Sequence, residues 1–249
     1  MSSLENRVAV ITGAAGMIGR ETVEVFKREG AIVAAVDMKE ADTGADGFFQ
    51  VDLTDEEQVR QLYQSVREKF GHIDVLFNNA GISDERDGSV LETDAAVWER
   101  VLHVNMTSVF FCCKHGIPHL LENRGGSVIN TASLVANMGS ATSQIAYTAS
   151  KGGVLSMSRE LGVEFARRGV RVNAISPGPV ETPLLRTMFS PEQSARRLVH
   201  VPPGRFAQAR EIAEAVAFLA SDRSSYINAT EFRVDGGISA AYVTPEDES

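Results

Sequence analysis

Val8-Ala9-Val10-Ile11-Thr12-Gly13-Ala14-Ala15-Gly16-Met17-Ile18-Gly19 is the stretch on which the fold turns. Val8 to Thr12 is a short apolar run rich in β-branched residues, the pattern of a strand buried on both faces. Glycines follow at once, and Val23 and Phe26 then open a helical pattern that stops at Gly30. Strand, glycine turn and helix together make a phosphate site. Small residues let the backbone approach a pyrophosphate, and the helix start offers free N–H groups at a positive dipole end. Gly13, Gly16, Met17, Ile18 and Gly19 are therefore candidate cofactor contacts.

Outward from that turn the pattern repeats. Ala31 to Val36 reads as a second buried strand ending in Asp37, 24 residues after Gly13. An acid at that spacing accepts hydrogen bonds from the adenosine ribose hydroxyls and repels a 2′-phosphate. Met38 comes next, Lys39 one further, and no Arg follows, so NAD is favoured over NADP. Phe48 to Val51 reads as a third strand, left through Asp52-Leu53-Thr54. Asp52 either accepts from the adenine amino group or caps the next helix; Leu53 is placed beside the cofactor with it. Asp55 to Phe70 is an amphipathic helix, with Val59, Leu62, Val66 and Phe70 on one face and Gly71 as its stop. Ile73 to Phe77 is a fourth strand, followed by Asn78-Asn79-Ala80-Gly81. A turn of small polar residues after a central strand lies where open α/β sheets bind ligands, which adds Asn79, Ala80 and Gly81 to the cofactor set. Repeated strand–helix units of this length imply a parallel, doubly wound sheet with right-handed crossovers.

The second half carries the chemistry. In Tyr147-Thr148-Ala149-Ser150-Lys151 a phenol and an ammonium stand four residues apart, on the same face of a helix. A fixed cation favours the phenolate, so the pair is expected to lower the phenol's pKa and to exchange protons in an alcohol/carbonyl interconversion. Ser127 to Thr131 reads as a fifth strand, and Ser133 follows it. The Ser133 hydroxyl meets Tyr147 if the intervening loop doubles back, and would hold a substrate oxygen. The helix expected over 147–168 carries Val154, Met157, Leu161 and Phe165 on one stripe. Asn105 is expected at the head of a long helix, where its amide bends the helix and holds a water, or caps it. Trp98 and His103 are read as packing residues, and the charged segment 83–89 is given no role. Val170 to Ser176 is a sixth strand, with Pro177, Gly178 and Val180 placed beside the cofactor after it. Thr182 either hydrogen-bonds a carboxamide or is a plain loop hydroxyl. Residues 183–205 mix apolar and basic side chains and read as a mobile segment closing over the substrate, with a hint of an acidic one. Glu211 to Ala220 is a further helix and Glu231 to Asp235 the last strand.

Composition narrows the class. The 249 residues are 43% apolar, with a net charge of -9 and a pI near 5.1, which argues against nucleic-acid binding. No apolar run reaches the ~18 residues of a membrane span, and the first residues show no secretory pattern. The adjacent Cys112 and Cys113 read as reduced, buried and structural. A cytoplasmic protein is expected. Residues 1–249 are read as one domain with a fraying tail, since no linker or repeat is found, and no metal site is read.

Taken together, Thr12-Gly13…Gly19, Asp37, Asn78-Asn79-Ala80-Gly81, Asn105, Ser133, Tyr147/Lys151, Pro177-Gly178 and Asp235-Gly236-Gly237 resemble, in order and spacing, the compact branch of the short-chain dehydrogenase/reductase family. The resemblance covers nearly the whole length. It implies a Rossmann-type sheet of about seven strands flanked by helices, and NAD(P)-dependent oxidation of a secondary alcohol or reduction of a ketone. Tyr147 would be the general acid/base, Lys151 would lower its pKa and hold the nicotinamide ribose, Ser133 would position the carbonyl, and Asn105 would hold a relay water. A homotetramer built on helices 105–122 and 147–168 is implied, as is an alternative activity, NADPH-dependent reduction of 3-oxoacyl thioesters. Two departures stand out. Gly16 comes one place early, with Met17 where a glycine is usual, as in the family's longer sugar-nucleotide-modifying branch. Ala229 stands where a glycine often precedes the last strand, a change expected to alter only a turn.

Overall fold

Alternation along the first strand sends Val8 and Val10 to one face and Ala9 and Ile11 to the other, and both faces are covered. The computed structural model describes residues 3–123, 125–140, 142–181 and 190–240. In chain order it contains β1 (Val8–Thr12), α1 (Met17–Arg28), β2 (Ile32–Asp37), β3 (Gly47–Gln50), α2 (Glu56–Phe70), β4 (Val75–Asn78), α3 (Ala95–Leu102), α4 (Ser108–Glu122), β5 (Gly126–Thr131), α5 (Ile145–Phe165), β6 (Val170–Pro177), α6 (Pro191–Leu198), α7 (Ala209–Ala220) and β7 (Glu231–Val234).

The strands form one parallel sheet in the order β3-β2-β1-β4-β5-β6-β7. Val10 pairs with Ala34 of β2 on one side and Leu76 of β4 on the other. The order therefore reverses at β1, and the carboxyl ends of β1 and β4 flank the switch point at which such sheets bind ligands. One apolar cluster joins a sheet face to α2, α4 and α5 through Leu62, Tyr63, Ile117 and Val154. The other joins the opposite face to α1 and α7 through Phe26, Ile212 and Leu219. This is the doubly wound, Rossmann-type sheet of the sequence reading.

Four local expectations are corrected. Asn105 does not head a helix: it lies within a π-turn, His103–Thr107, that joins α3 to α4, and it is fully buried. Trp98 and His103 are exposed rather than packed, because α3 buries Val97 and Val101 instead. Asp55 rather than Asp52 caps α2, its carboxylate accepting from the N–H groups of Glu57 and Gln58. The fifth helix starts at Ile145, not Tyr147, because its first amides find partners outside their own segment. Ala229 occupies the left-handed region at φ 55°, where glycine would be unstrained, and packs against Gly162 of α5. Thr182 and residues 183–189 lie outside the described residues, as does the tail from 241; the rest of the expected covering segment holds α6.

Cys112 and Cys113 are buried and free, and burial pushes both thiols up to about 12. Neither should react with Ellman's reagent at pH 8 in the native protein, and both should react in denaturant.

Candidate active site

The turn after β1 is a backbone cradle. Gly13 has φ +67°, and a Cβ placed there would lie 2.9 Å from the Ala80 Cα. A Cβ on Gly19 would lie 2.1 Å from the Gly13 carbonyl oxygen. Only glycine closes the turn this tightly against Asn79-Ala80 and against α1. Gly16 is the N-cap of α1 and brings no side-chain cap, so the first amides of the helix are not claimed by a side chain. Met17 opens the helix and leans on the core cluster beneath, which lets the displaced glycine pattern keep the strand–turn–helix geometry. The Thr12 hydroxyl ties the two turns together, accepting from the N–H groups of Asn79 at 2.9 Å and Ala80 at 3.2 Å.

A cleft of about 810 Å³ opens in front of this cradle. Gly13, Gly16, Met17, Ile18, Asp37, Asp52, Leu53, Asn79, Ala80 and Gly81 line it, ten of the residues assigned to the cofactor from sequence. Asp37 ends β2 at the rim, its carboxylate accepting from Ala15 N–H at 3.0 Å and Lys39 N–H at 3.1 Å. Asp52 accepts from the Thr54 N–H and hydroxyl. Gly19 lies buried behind the turn. Pro177, Gly178 and Val180 sit at the end of β6, apart from this cleft, where Gly178 packs against Asp235 and Val180 bridges to Ala207. Arg100, Val104 and Ser108, which were not singled out in the sequence, also line the cleft, as does His103, which was read there as a packing residue. Their spacing of three and four was the available signal, masked by the apolar residues on the other side of the same helices.

Beyond Gly81 stands the polar cluster. Lys151 is 3% exposed, and its Nζ donates to the Thr131 carbonyl oxygen at 2.8 Å, its one hydrogen bond among the described residues. Its two other N–H donors are left without a partner among the described residues. A Cβ on Gly81 would lie 3.2 Å from Asn105 Oδ1 and 3.4 Å from Lys151 Nζ, so the cradle's last residue is what lets both approach. Asn105 Oδ1 accepts from Ile82 N–H at 2.8 Å, while its Nδ2 donates to Ile82 O at 2.9 Å and to Ser150 Oγ at 3.2 Å. The loop after β5 does double back: the Ser133 hydroxyl lies against the Tyr147 phenol. Lys151 Nζ is 5.7 Å from the centre of the Tyr147 ring. The four candidate catalytic residues thus share one corner beside the cradle.

The titration of that corner differs from the sequence reading. The protein's own groups hold Tyr147 above the ordinary phenol value, because burial outweighs the Ser133 contact. Burial also pulls Lys151 down to about 8.

Residues 13–239 match a family model described as enoyl-(acyl carrier protein) reductase. A 3-oxoacyl-[acyl-carrier-protein] reductase of Thermotoga maritima is 38% identical, over 94% of this chain and 98% of its own length. A cis-4-hydroxycyclohexanecarboxylate dehydrogenase of Sinomonas cyclohexanicum is 37% identical, over 94% of this chain and 97% of its own. A Burkholderia xenovorans structure described as a short-chain dehydrogenase/reductase superimposes with a TM-score of 0.91 at 32% identity, covering 97% of this chain and 100% of that one. The chain belongs to the short-chain dehydrogenase/reductase family. It is accordingly an oxidoreductase of CH–OH and keto groups, and the family uses a nicotinamide dinucleotide. The residues present fit that group: a glycine cradle with open helix amides, a cleft of about 810 Å³ in front of it, and a buried ammonium with donors to spare. Among the described residues no helix is long and apolar enough to cross a membrane, and no three His, Cys, Asp or Glu side chains are grouped to hold a metal ion.

The cradle geometry separates its glycines. Gly19→Ala should raise the Kd for NADH, read by fluorescence titration, at least tenfold. Gly16→Ala, whose Cβ would meet only the Gly13 carbonyl at 3.2 Å, should change it less than threefold.

Proposed function

We propose that the protein is an NAD-dependent dehydrogenase/reductase that interconverts a secondary alcohol and a ketone. The observation that carries this reading is the convergence of Ser133, Tyr147, Lys151 and Asn105 beside the glycine cradle. When bound, the nicotinamide ring supplies the acceptor or donor of hydride. Everything else falls to the chain. In oxidation the Tyr147 phenolate takes the proton of the substrate hydroxyl; in reduction the neutral phenol returns it to the carbonyl oxygen. Ser133 holds that oxygen against the phenol. The Lys151 ammonium favours the phenolate and offers its remaining donors to a ribose. Asn105, held by Ile82 and Ser150, is proposed to hold a water that links Lys151 to solvent.

Cofactor choice rests on Asp37. Its carboxylate stands at the end of β2, beside the cradle, where a 2′-phosphate would meet like charge. Thr182, Val180, Pro177 and Gly178 are proposed to complete the nicotinamide side, with segment 183–205 over the substrate. The groove of about 840 Å³ between α4 and α5, lined by Phe110, Ile117, Leu121, Met157 and Leu161, supports a homotetramer joined through these helices. Reduced, buried thiols fit a cytoplasmic setting.

One alternative has its own support. The Thermotoga maritima relative is named as a 3-oxoacyl thioester reductase, and the basic residues of 186–200 suit an acidic carrier. Asp37 weighs against the NADPH such a reading would use.

A screen of NAD⁺ and NADP⁺ reduction over secondary alcohols, including cyclic alcohols, polyols, steroids and 3-hydroxyacyl thioesters, tests the reading. Turnover with NAD⁺ is expected; activity confined to NADP⁺ and the thioesters would establish the alternative. Tyr147→Phe should lower kcat by about 10²–10⁴-fold, the usual worth of a general acid/base, with NADH affinity within twofold. Asp37→Ala should weaken NAD and narrow its advantage over NADP. Because oxidation needs the phenolate and reduction the phenol, kcat/KM should rise with pH for the alcohol and fall with pH for the ketone.

A further inference from the structure

The helix that carries Tyr147 is not capped by its own segment. Its N-cap residue, Gln144, makes no side-chain cap. The first three amides of α5 go instead to a loop nearly sixty positions earlier in the chain. Ile145 N–H donates to Gly88 O at 3.3 Å, Ala146 N–H to Asp87 Oδ1 at 2.9 Å, and Tyr147 N–H to Asp87 Oδ2 at 2.8 Å. Asp87 is 8% exposed. Among the described residues no salt bridge includes it, whereas the neighbouring Asp84 takes both Arg86 and Arg100. The Asp87 charge therefore faces two N–H groups and the positive end of a helix dipole. A carboxylate that accepts both bonds at once fixes the rotation of the helix start as well as its position.

The loop that brings Asp87 there is anchored at its other end in the same site. It leaves the cradle at Gly81, is clamped at Ile82 by both ends of the Asn105 amide, and turns at Asp84 through the Asp87 N–H to Asp84 O bond. Gly88 N–H donates to Thr93 Oγ1 at 2.9 Å, closing the loop from behind. Residues 81–88 thus form a strap from the cofactor cradle to the backbone of Tyr147.

We propose that Asp87 is a positioning residue for the reaction: it sets the register of Tyr147 against Ser133 and ties that register to the cradle. The inference rests on Tyr147 being the acid/base. Asp87 touches no reacting atom, so its loss should act on kcat and leave cofactor binding alone.

The test compares Asp87→Asn and Asp87→Ala in the full chain. Asn keeps the shape and one acceptor but turns a donor toward the second amide. Measured are kcat and KM on the best alcohol of the screen, NADH Kd by fluorescence, hydrogen exchange of residues 145–151, and the thermal transition. Expected are a kcat at least tenfold lower for Asn and lower again for Ala, an NADH Kd within twofold, and at least tenfold faster exchange confined to 145–151. A kcat within twofold of the parent, or an equal loss of kcat and NADH affinity with exchange faster throughout, would overturn the proposal. So would failure of both variants to fold, since Asp87 would then serve the fold as a whole. Full turnover by Tyr147→Phe would remove the acid/base reading, and is distinguishable because the exchange result for Asp87 does not depend on it.

Discussion

One buried hydrogen bond, from the Lys151 ammonium to the Thr131 carbonyl, sets the position of the site's cation. It joins the middle of a helix to the carboxyl end of a central strand and fixes a positive charge where water is excluded. Burying an ammonium is costly unless its donors are used. Here one donor is used within the protein, and the others make no hydrogen bond to the described residues. The cation is therefore poorly served by the chain alone, which supports the proposal that it meets a ligand's hydroxyls and the phenol beside it.

The surrounding structure keeps that arrangement in place. Below Lys151 the same helix is pinned to two strands: Asn78 Nδ2 donates to Asn130 Oδ1, and Asn130 Nδ2 to Ser158 Oγ. At its start α5 is held by Asp87, and on its flank by the Asn105–Ser150 contact. A helix fixed at three heights can tilt little, so the distance between phenol, hydroxyl and ammonium is a property of the sheet rather than of flexible side chains. The cradle is built on the adjoining pair β1 and β4, so the proposed cofactor site and the proposed acid/base are positioned by neighbouring strands of one sheet.

Much of this was legible in the residues. The buried strands announced themselves as short apolar runs, the glycine turn by its place between strand and helix, and Tyr147 and Lys151 by helical spacing. What was hidden shares one physical cause, dependence on partners distant in sequence. Asp87 was given no role within its charged, loop-like segment because the amides it caps lie nearly sixty residues away. Asn105 looked like a helix start because a π-turn keeps a helical hydrophobic pattern while inserting a residue. Trp98 and His103 looked like packing residues because periodicity cannot tell which stripe of a short helix meets the core. The direction of the Tyr147 shift was missed because spacing reveals the cation and not the burial that opposes it.

That opposition gives the account its most direct test. With ¹³C-labelled tyrosine, the pH titration of the Tyr147 Cζ signal can be followed in the protein alone and with NAD⁺ bound. The account predicts a phenol above the ordinary value of about 10 in the protein alone, falling by one unit or more when NAD⁺ adds its charge, and rising again in Lys151→Met. A Tyr147 signal that titrates at the same pH in all three would contradict it.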